Sequence, residues 1–184
     1  SAHAVEREAR VMMALAHTDV PVPHVYGLEE DADLIGTPFY VMSYLPGRTF
    51  WNVQLPQGER AAERRAIYQE LAQVLAASHA ADVDRVGLAD YGPKGAYVAR
   101  QVARWTRQYR ASQTHEVPGM EALIAWLPEH LPAKQETTLV HGDFRLDNMK
   151  FHPTEPRVLA VLDWELSTLG HPSADLAYAC MLYD

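Results

Sequence analysis

The stretch LVHGDFRLDNMKFHPTEPRVLAVLDWE, Leu139 to Glu165, restricts the possible folds of this chain more than any other. It places His141, Asp143, Asn148, Asp163 and Glu165 in two short loops, each fed by an apolar run. Leu139-Val140 leads into the first loop, and the β-branched and apolar run Val158 to Leu162 leads into the second, as buried strands do. His152-Pro153-Thr154-Glu155-Pro156, between them, reads as a turn. The pattern predicts that the Leu139-Val140 run and the Val158–Leu162 run lie side by side as a hairpin-like pair. That pairing brings both loops to one place.

The loop residues have a common chemistry. Asp143, Asp163 and Glu165 supply hard anionic oxygens, and Asn148 supplies a neutral carbonyl oxygen. Such a set suits Mg²⁺, which takes one or two carboxylates and completes its octahedron with phosphate and water. It is a poor set for zinc, which favours His and Cys. An Asp and an Asn separated by four residues, with a second Asp closing a later strand, is the arrangement used in phosphoryl transfer. The first Asp orients a hydroxyl and accepts its proton, while the Asn and second Asp hold metal on nucleotide phosphates. His-Gly-Asp alone is more often an ordinary turn; the full spacing carries the reading.

Composition narrows the classes further. A net charge of −8 argues against a nucleic-acid partner, because phosphate backbones select basic surfaces. Cys180 is the single cysteine, which leaves no disulfide framework; it reads as a small buried residue of an apolar helix. No run has the length of a membrane span, and the start SAHAVEREAR lacks a signal peptide's apolar region. A reducing, cytoplasmic setting without membrane contact is expected.

Helical and extended segments alternate along the rest of the chain. Ala2 to Ala16 predicts a helix ended by Pro21 and Pro23. Val22 to Leu28 and Phe39 to Tyr44 predict short strands. Glu59 to Ala81 predicts a helix with Ile67, Leu71, Val74, Leu75 and Ser78 on one face. Tyr97 to Arg110 predicts another, with Val98, Val102, Trp105 and Tyr109 as its apolar stripe. Its arginines at 100, 104, 107 and 110 form a basic stripe, read first as a solvated face and second as a dock for an anionic substrate such as a CoA phosphate. Met120, Leu123, Ile124 and Leu127 predict a third helix ending near Pro128. Asp175 opens a last helix, as a helix N-terminal acid or as a brace for the first loop.

HGDFRLDN resembles the catalytic loop of the aminoglycoside phosphotransferase and choline kinase group, relatives of protein kinases, and LDWE resembles their metal-binding segment. The wider run, from VEREARVMMAL through GTPFYVMSYLPGRTFW to LDWELSTLGHPSADLAYA, is most similar to phosphotransferase domains associated with acyl-CoA dehydrogenases. The resemblance implies an α+β, protein-kinase-like two-lobe fold: a partial small lobe over residues 1–46, and a mostly helical large lobe with a catalytic β-hairpin over 47–184. It implies Asp143 as catalytic base, Arg145 as a cation at the transferred phosphate, Asn148 and Asp163 as metal ligands, and Glu165 as a helper acid. His141 is then the loop's scaffold. Glu8 matches the helix glutamate that pairs with a strand lysine, while the Ser43 carbonyl and Leu45 amide match the hinge that holds adenine, with Met42 at the pocket's back. The lysines are Lys94, Lys134 and Lys150, all after Glu8, so the chain is expected to start partway through the small lobe and to stop before helices that shape the acceptor pocket.

The function implied is ATP- and Mg²⁺-dependent transfer of the γ-phosphoryl group to a hydroxyl of a small molecule. The acceptor is expected to be a hydroxyacyl-CoA or an aminoglycoside-like alcohol, with a functional link to an acyl-CoA dehydrogenase. A dozen residues separate Asp163 from Asp175, too few for a protein kinase's activation loop, which favours a small acceptor. The alternative is a non-catalytic nucleotide-binding or scaffold module. A metal-dependent hydrolase built on His141 is disfavoured by the few histidines near the loops.

Overall fold

The computed structural model describes residues 5–55 and 60–181. Helix α1, Val5–Leu15, buries Ala9, Val11, Met12 and Leu15 on one stripe. The expected helix began at Ala2; its first residues lie outside those described. Strands β1 (Val25–Glu29) and β2 (Phe39–Met42) form an antiparallel ribbon beside it. Pro21 and Pro23 lack the N–H that a ladder needs, so the first strand starts at Val25, later than its apolar pattern suggested.

Past the ribbon, Gly47 lies so close to the later hairpin that a Cβ there would sit 2.2 Å from the Phe151 carbonyl oxygen. That approach lets Arg48 and Phe151 exchange backbone hydrogen bonds of 2.8 and 2.9 Å. Helix α2, Ala61–Ala80, then buries Ile67, Val74, Leu75 and Ser78, four of the five residues expected on its inner face. The fifth, Leu71, is half-buried; Glu59, where the helix was expected to begin, lies outside the described residues.

Helices α3 (Tyr97–Ser112) and α4 (Pro118–Trp126) occur where the periodicity places them, but neither buries a residue fully. Trp105, expected on the inner stripe of α3, is 60% exposed. Both helices contact the turn at Leu127–Glu129, and Arg110 of α3 pairs with Glu121 of α4, so amphipathic spacing marked helices without marking a core.

The last third corrects the expected hairpin. Strands β3 (Thr138–Val140), β4 (Met149–Phe151), β5 (Val158–Val161) and β6 (Thr168–Gly170) are nested: β4 pairs with β5 across the proline-rich turn, and β3 pairs with β6 outside them. Leu139-Val140 therefore lies against Leu169 and Thr168, not against the Val158 run. Met149-Lys150-Phe151, with a lysine at its centre, is the true hairpin partner. Helix α5, Ser173–Cys180, follows. Cys180 is exposed at its end, not buried as expected.

One core joins these pieces. Val11, Met12 and Leu15 of α1 share it with Ile67, Leu88, Leu139, Phe144, Met149, Phe151, Trp164 and Leu169. Each such side chain contributes on the order of 1.5–3 kcal/mol by leaving water. Arg7 reinforces the join, with a guanidinium nitrogen 3.2 Å from the Ser167 carbonyl and its charge 4.1 Å from the centre of the Tyr91 ring.

Candidate active site

Nesting fixes the site. The chain crosses from the outer to the inner ribbon through residues 141–148, and returns through 162–167. Both crossings lie at the same end, so the two loops are side by side. Backbone groups join them: the Leu162 N–H donates to the Asn148 carbonyl at 2.8 Å, and His141 Nε2 meets the Leu162 carbonyl at 2.9 Å.

His141 is fully buried between Phe144 and Trp164. Burial pushes its imidazole below the ordinary histidine range, so the ring is neutral. Its Nε2–H donates to Leu162, and its Nδ1 accepts the Asp143 N–H at 3.2 Å. The ring thus works as a spacer that sets the backbone of Asp143.

Asp175 holds the same loop from the other side. Its buried carboxylate accepts the N–H groups of His141 and Gly142, both at 2.8 Å, and faces His79 Nε2 at 3.2 Å. Asp175 is thus both readings at once, an acid in the first turn of α5 and a brace for the first loop.

Gly142 has φ +88°, and a Cβ on it would lie 2.7 Å from the Leu166 carbonyl oxygen. Only glycine suits that left-handed turn at so close an approach.

Asn148 donates its side-chain amide to the Asp143 carbonyl at 2.9 Å and to Asp143 Oδ2 at 2.8 Å. Its own Oδ1 is then the atom left for a cation. On the second loop, Asp163 is left-handed at φ 64°, a conformation that Asp and Asn tolerate better than most residues. Carboxylate oxygens of Asp163, Glu165 and Glu8 lie within 4.8 Å of one another. Partial desolvation, then the charge of Glu165, pushes the Asp163 carboxyl above the usual carboxylate range. Tyr40 donates its hydroxyl to Glu8 at 2.9 Å; desolvation and that bond hold the phenol well above its ordinary value. Three converging hard oxygens fit a divalent cation of the magnesium type.

Arg145 is forked onto Asp147, with its Nε 3.9 Å from Asp143 Oδ1. The Asp147 bond raises its already high pKa, so the guanidinium stays charged beside the first loop. Tyr178, which the sequence reading passed over, lies beside the Asp143 carboxylate and Arg145, and the neighbouring carboxylate and desolvation raise its phenol above the ordinary range. It lies three residues after Asp175, on the same face of α5; that spacing was the available signal.

Two clefts flank the loops. Met42, Ser43 and Leu45 line one of about 290 Å³, with Pro23 and Leu162. The other, about 700 Å³, runs between α3 and α5 from Gly142 and Tyr178 to Arg100, Arg104 and Trp105.

Comparison with known proteins agrees with this geometry. Residues 1–184 match the phosphotransferase enzyme family (APH). Mouse acyl-CoA dehydrogenase family member 10 is 56% identical over 100% of this chain and 17% of its own length. Human acyl-CoA dehydrogenase family member 11 is 45% identical over 99% of this chain and 23% of its own. A Ralstonia eutropha crystal structure, provisionally named an aminoglycoside phosphotransferase, superposes with TM-score 0.93 at 56% identity, covering 97% of this chain and 54% of that one. An aminoglycoside phosphotransferase solved with ADP and hygromycin B shares the fold alone, with TM-score 0.68 and 19% identity over 97% of this chain and 61% of its own. The chain spans about a fifth of the length of these curated relatives and about half of the Ralstonia structure. With a family match over its whole length and a close superposition on the Ralstonia structure, the chain belongs to the phosphotransferase enzyme family, on the protein-kinase-like fold of the aminoglycoside phosphotransferases.

Proposed function

We propose that the protein carrying this chain transfers the γ-phosphoryl group of ATP to a hydroxyl of a small molecule, with residues 1–46 as part of the small lobe and 47–184 as the catalytic lobe. The observation that carries this is the joining of the two loops, Asn148 to Leu162 and His141 to Leu162, which seats Asp143 beside the carboxylates that follow β5. Ser43 and Leu45 offer the backbone acceptor and donor that adenine needs. Asn148, Asp163 and Glu165 hold magnesium, which neutralises phosphate oxygens when bound. Glu8, beside Asp163 and Glu165, keeps the phosphate end of the nucleotide cleft anionic enough to retain the cation.

Asp143 accepts the acceptor's proton as the new oxygen–phosphorus bond forms and the bond to the departing ADP oxygen breaks. Asn148 holds its carboxylate in place, with Tyr178 beside it. Arg145 stands near enough to balance charge on the transferred group, although its fork on Asp147 makes it a positioning cation first. Alignment and charge stabilisation supply most of the rate.

The larger cleft takes the acceptor. The acyl-CoA dehydrogenase names of the relatives suggest a hydroxyacyl-CoA and a functional link to such a dehydrogenase. Arg100, Arg104 and Trp105 on its wall suit an anionic acceptor better than a polycationic aminoglycoside. Arg100 donates to the backbone carbonyls of Gly95 and Pro93, which hold it without neutralising it.

The test uses the full-length protein in an ADP-release assay, with hydroxyacyl-CoA and aminoglycoside acceptors in parallel. Asp143→Asn should lower kcat by about 10²–10⁴-fold, roughly 3–5 kcal/mol of barrier, and leave ATP binding intact. Asp163→Ala should weaken Mg-ATP binding itself. Full activity in Asp143→Asn would remove the base assignment. Mg-dependent ATP binding without turnover on either acceptor class would support the second reading, a non-catalytic nucleotide-binding module.

A further inference from the structure

We infer that Lys150, with Thr49, recognises the ribose of the bound nucleotide and sets its selectivity for ribonucleotides; this rests on the ATP reading of the cleft beside the hinge. Strand β4 alternates: Met149 and Phe151 are fully buried in the core, and Lys150, on the opposite side, is half-buried. There it lines the cleft with Met42, Ser43, Leu45 and Leu162, a cation on an otherwise uncharged wall. Its Nζ donates to Thr49 Oγ1 at 3.3 Å, a neutral hydroxyl and not a carboxylate. Among the described residues, then, the charge has no acidic partner. Its four-carbon stem can cover apolar surface while the ammonium stays at the rim.

The placement suits one part of a nucleotide. The edge of the base is matched by the hinge backbone at Ser43 and Leu45. The phosphates are matched by the loops at Asp143, Asn148 and Asp163. Between hinge and loops lies the sugar, and Lys150 is two residues beyond Asn148 while Thr49 is four beyond Leu45. An ammonium has three donors and no acceptor, so one bond to Thr49 leaves two for lone pairs of sugar hydroxyls. Thr49, accepting from Lys150, keeps its own proton to donate. A bare purine face offers such a pair nothing comparable.

Calorimetric titration of the full-length protein with Mg-ADP, Mg-2′-deoxy-ADP, Mg-3′-deoxy-ADP and adenosine tests this. The unsubstituted protein should bind ADP about tenfold more tightly than at least one deoxy analogue, as expected for a charge-assisted hydrogen bond. Lys150→Met, which keeps the stem, should bind ADP and both analogues within about twofold of one another, and lose affinity for adenosine as well. Thr49→Val should reduce the same preference, and Lys150→Arg should restore part of it. A Lys150→Met protein that still discriminates against the deoxy analogues would overturn the inference. So would a loss seen with ADP and not with adenosine, which would put the ammonium on the phosphates. If the unsubstituted protein bound no adenine nucleotide, the ATP reading itself would fall, a result distinct from unchanged selectivity in the variant.

Discussion

Asp175 shows how much one side chain does for the site without touching a reacting atom. Two backbone N–H groups of the first loop, those of His141 and Gly142, end on its carboxylate, and the residue is wholly buried. Asp175→Asn leaves one oxygen for two backbone donors and turns an amide toward at least one N–H that can only donate. The expected loss is about 1–3 kcal/mol, the usual penalty of an unsatisfied buried donor. In a chain of this size that lowers the melting temperature by several degrees. Scanning calorimetry checks it, with Asp143→Asn as the contrast: that variant should lose turnover and keep its melting temperature within a degree or two. Residues that act and residues that hold them separate on this pair of measurements.

At the scale of elements, the nested ribbons explain why the loops meet, and Gly142 is where the nest is tightest. Gly142→Ala must put a Cβ 2.7 Å from the Leu166 carbonyl at φ +88°. Strain of about 1–3 kcal/mol follows, measurable as a lower urea midpoint with an unchanged slope. An unchanged midpoint would mean that the turn can relax. The motif loops, the proline-rich turn and the run from Val158 were legible in the sequence because their chemistry and period are local. The pairing was not. Strands of three residues are too short for alternation to register, and Lys150 disguised Met149-Lys150-Phe151 as a loop, so the more apolar Leu139-Val140 was matched to the wrong partner. Spacing likewise gave α3 and α4 as helices, yet an amphipathic period does not say what covers a face. Tyr178 went unnoticed because a tyrosine in an apolar helix looks like packing until the fold turns it toward Asp143.

For the molecule as a whole, the converging carboxylates of Asp163, Glu165 and Glu8 are a stability loss that the proposed cation would offset. Asp163 sits near Glu165 and Glu8, and desolvation with Glu165's charge raises its carboxyl above the usual range. The sign follows from that direction. An acid whose folded pKa lies above its unfolded one binds its proton more tightly when folded. Its stabilising contribution is present in full below the unfolded value, and is lost as pH rises through the folded one. Once ionised, Asp163 therefore opposes folding, a cost that a bound cation would offset. Asp163→Asn keeps the shape and tolerates the left-handed backbone at φ 64°. Without metal at pH 7, that variant should melt above the unsubstituted protein. Its advantage should vanish as the pH falls through the Asp163 titration, where the native carboxyl is already neutral. Adding millimolar Mg²⁺ should reverse the order at pH 7, since binding to the folded state alone stabilises only the protein that retains the ligand. If the Asn variant melts lower at neutral pH without metal, Asp163 is held by attraction within the fold. The carboxylate cluster would then not be a cation site.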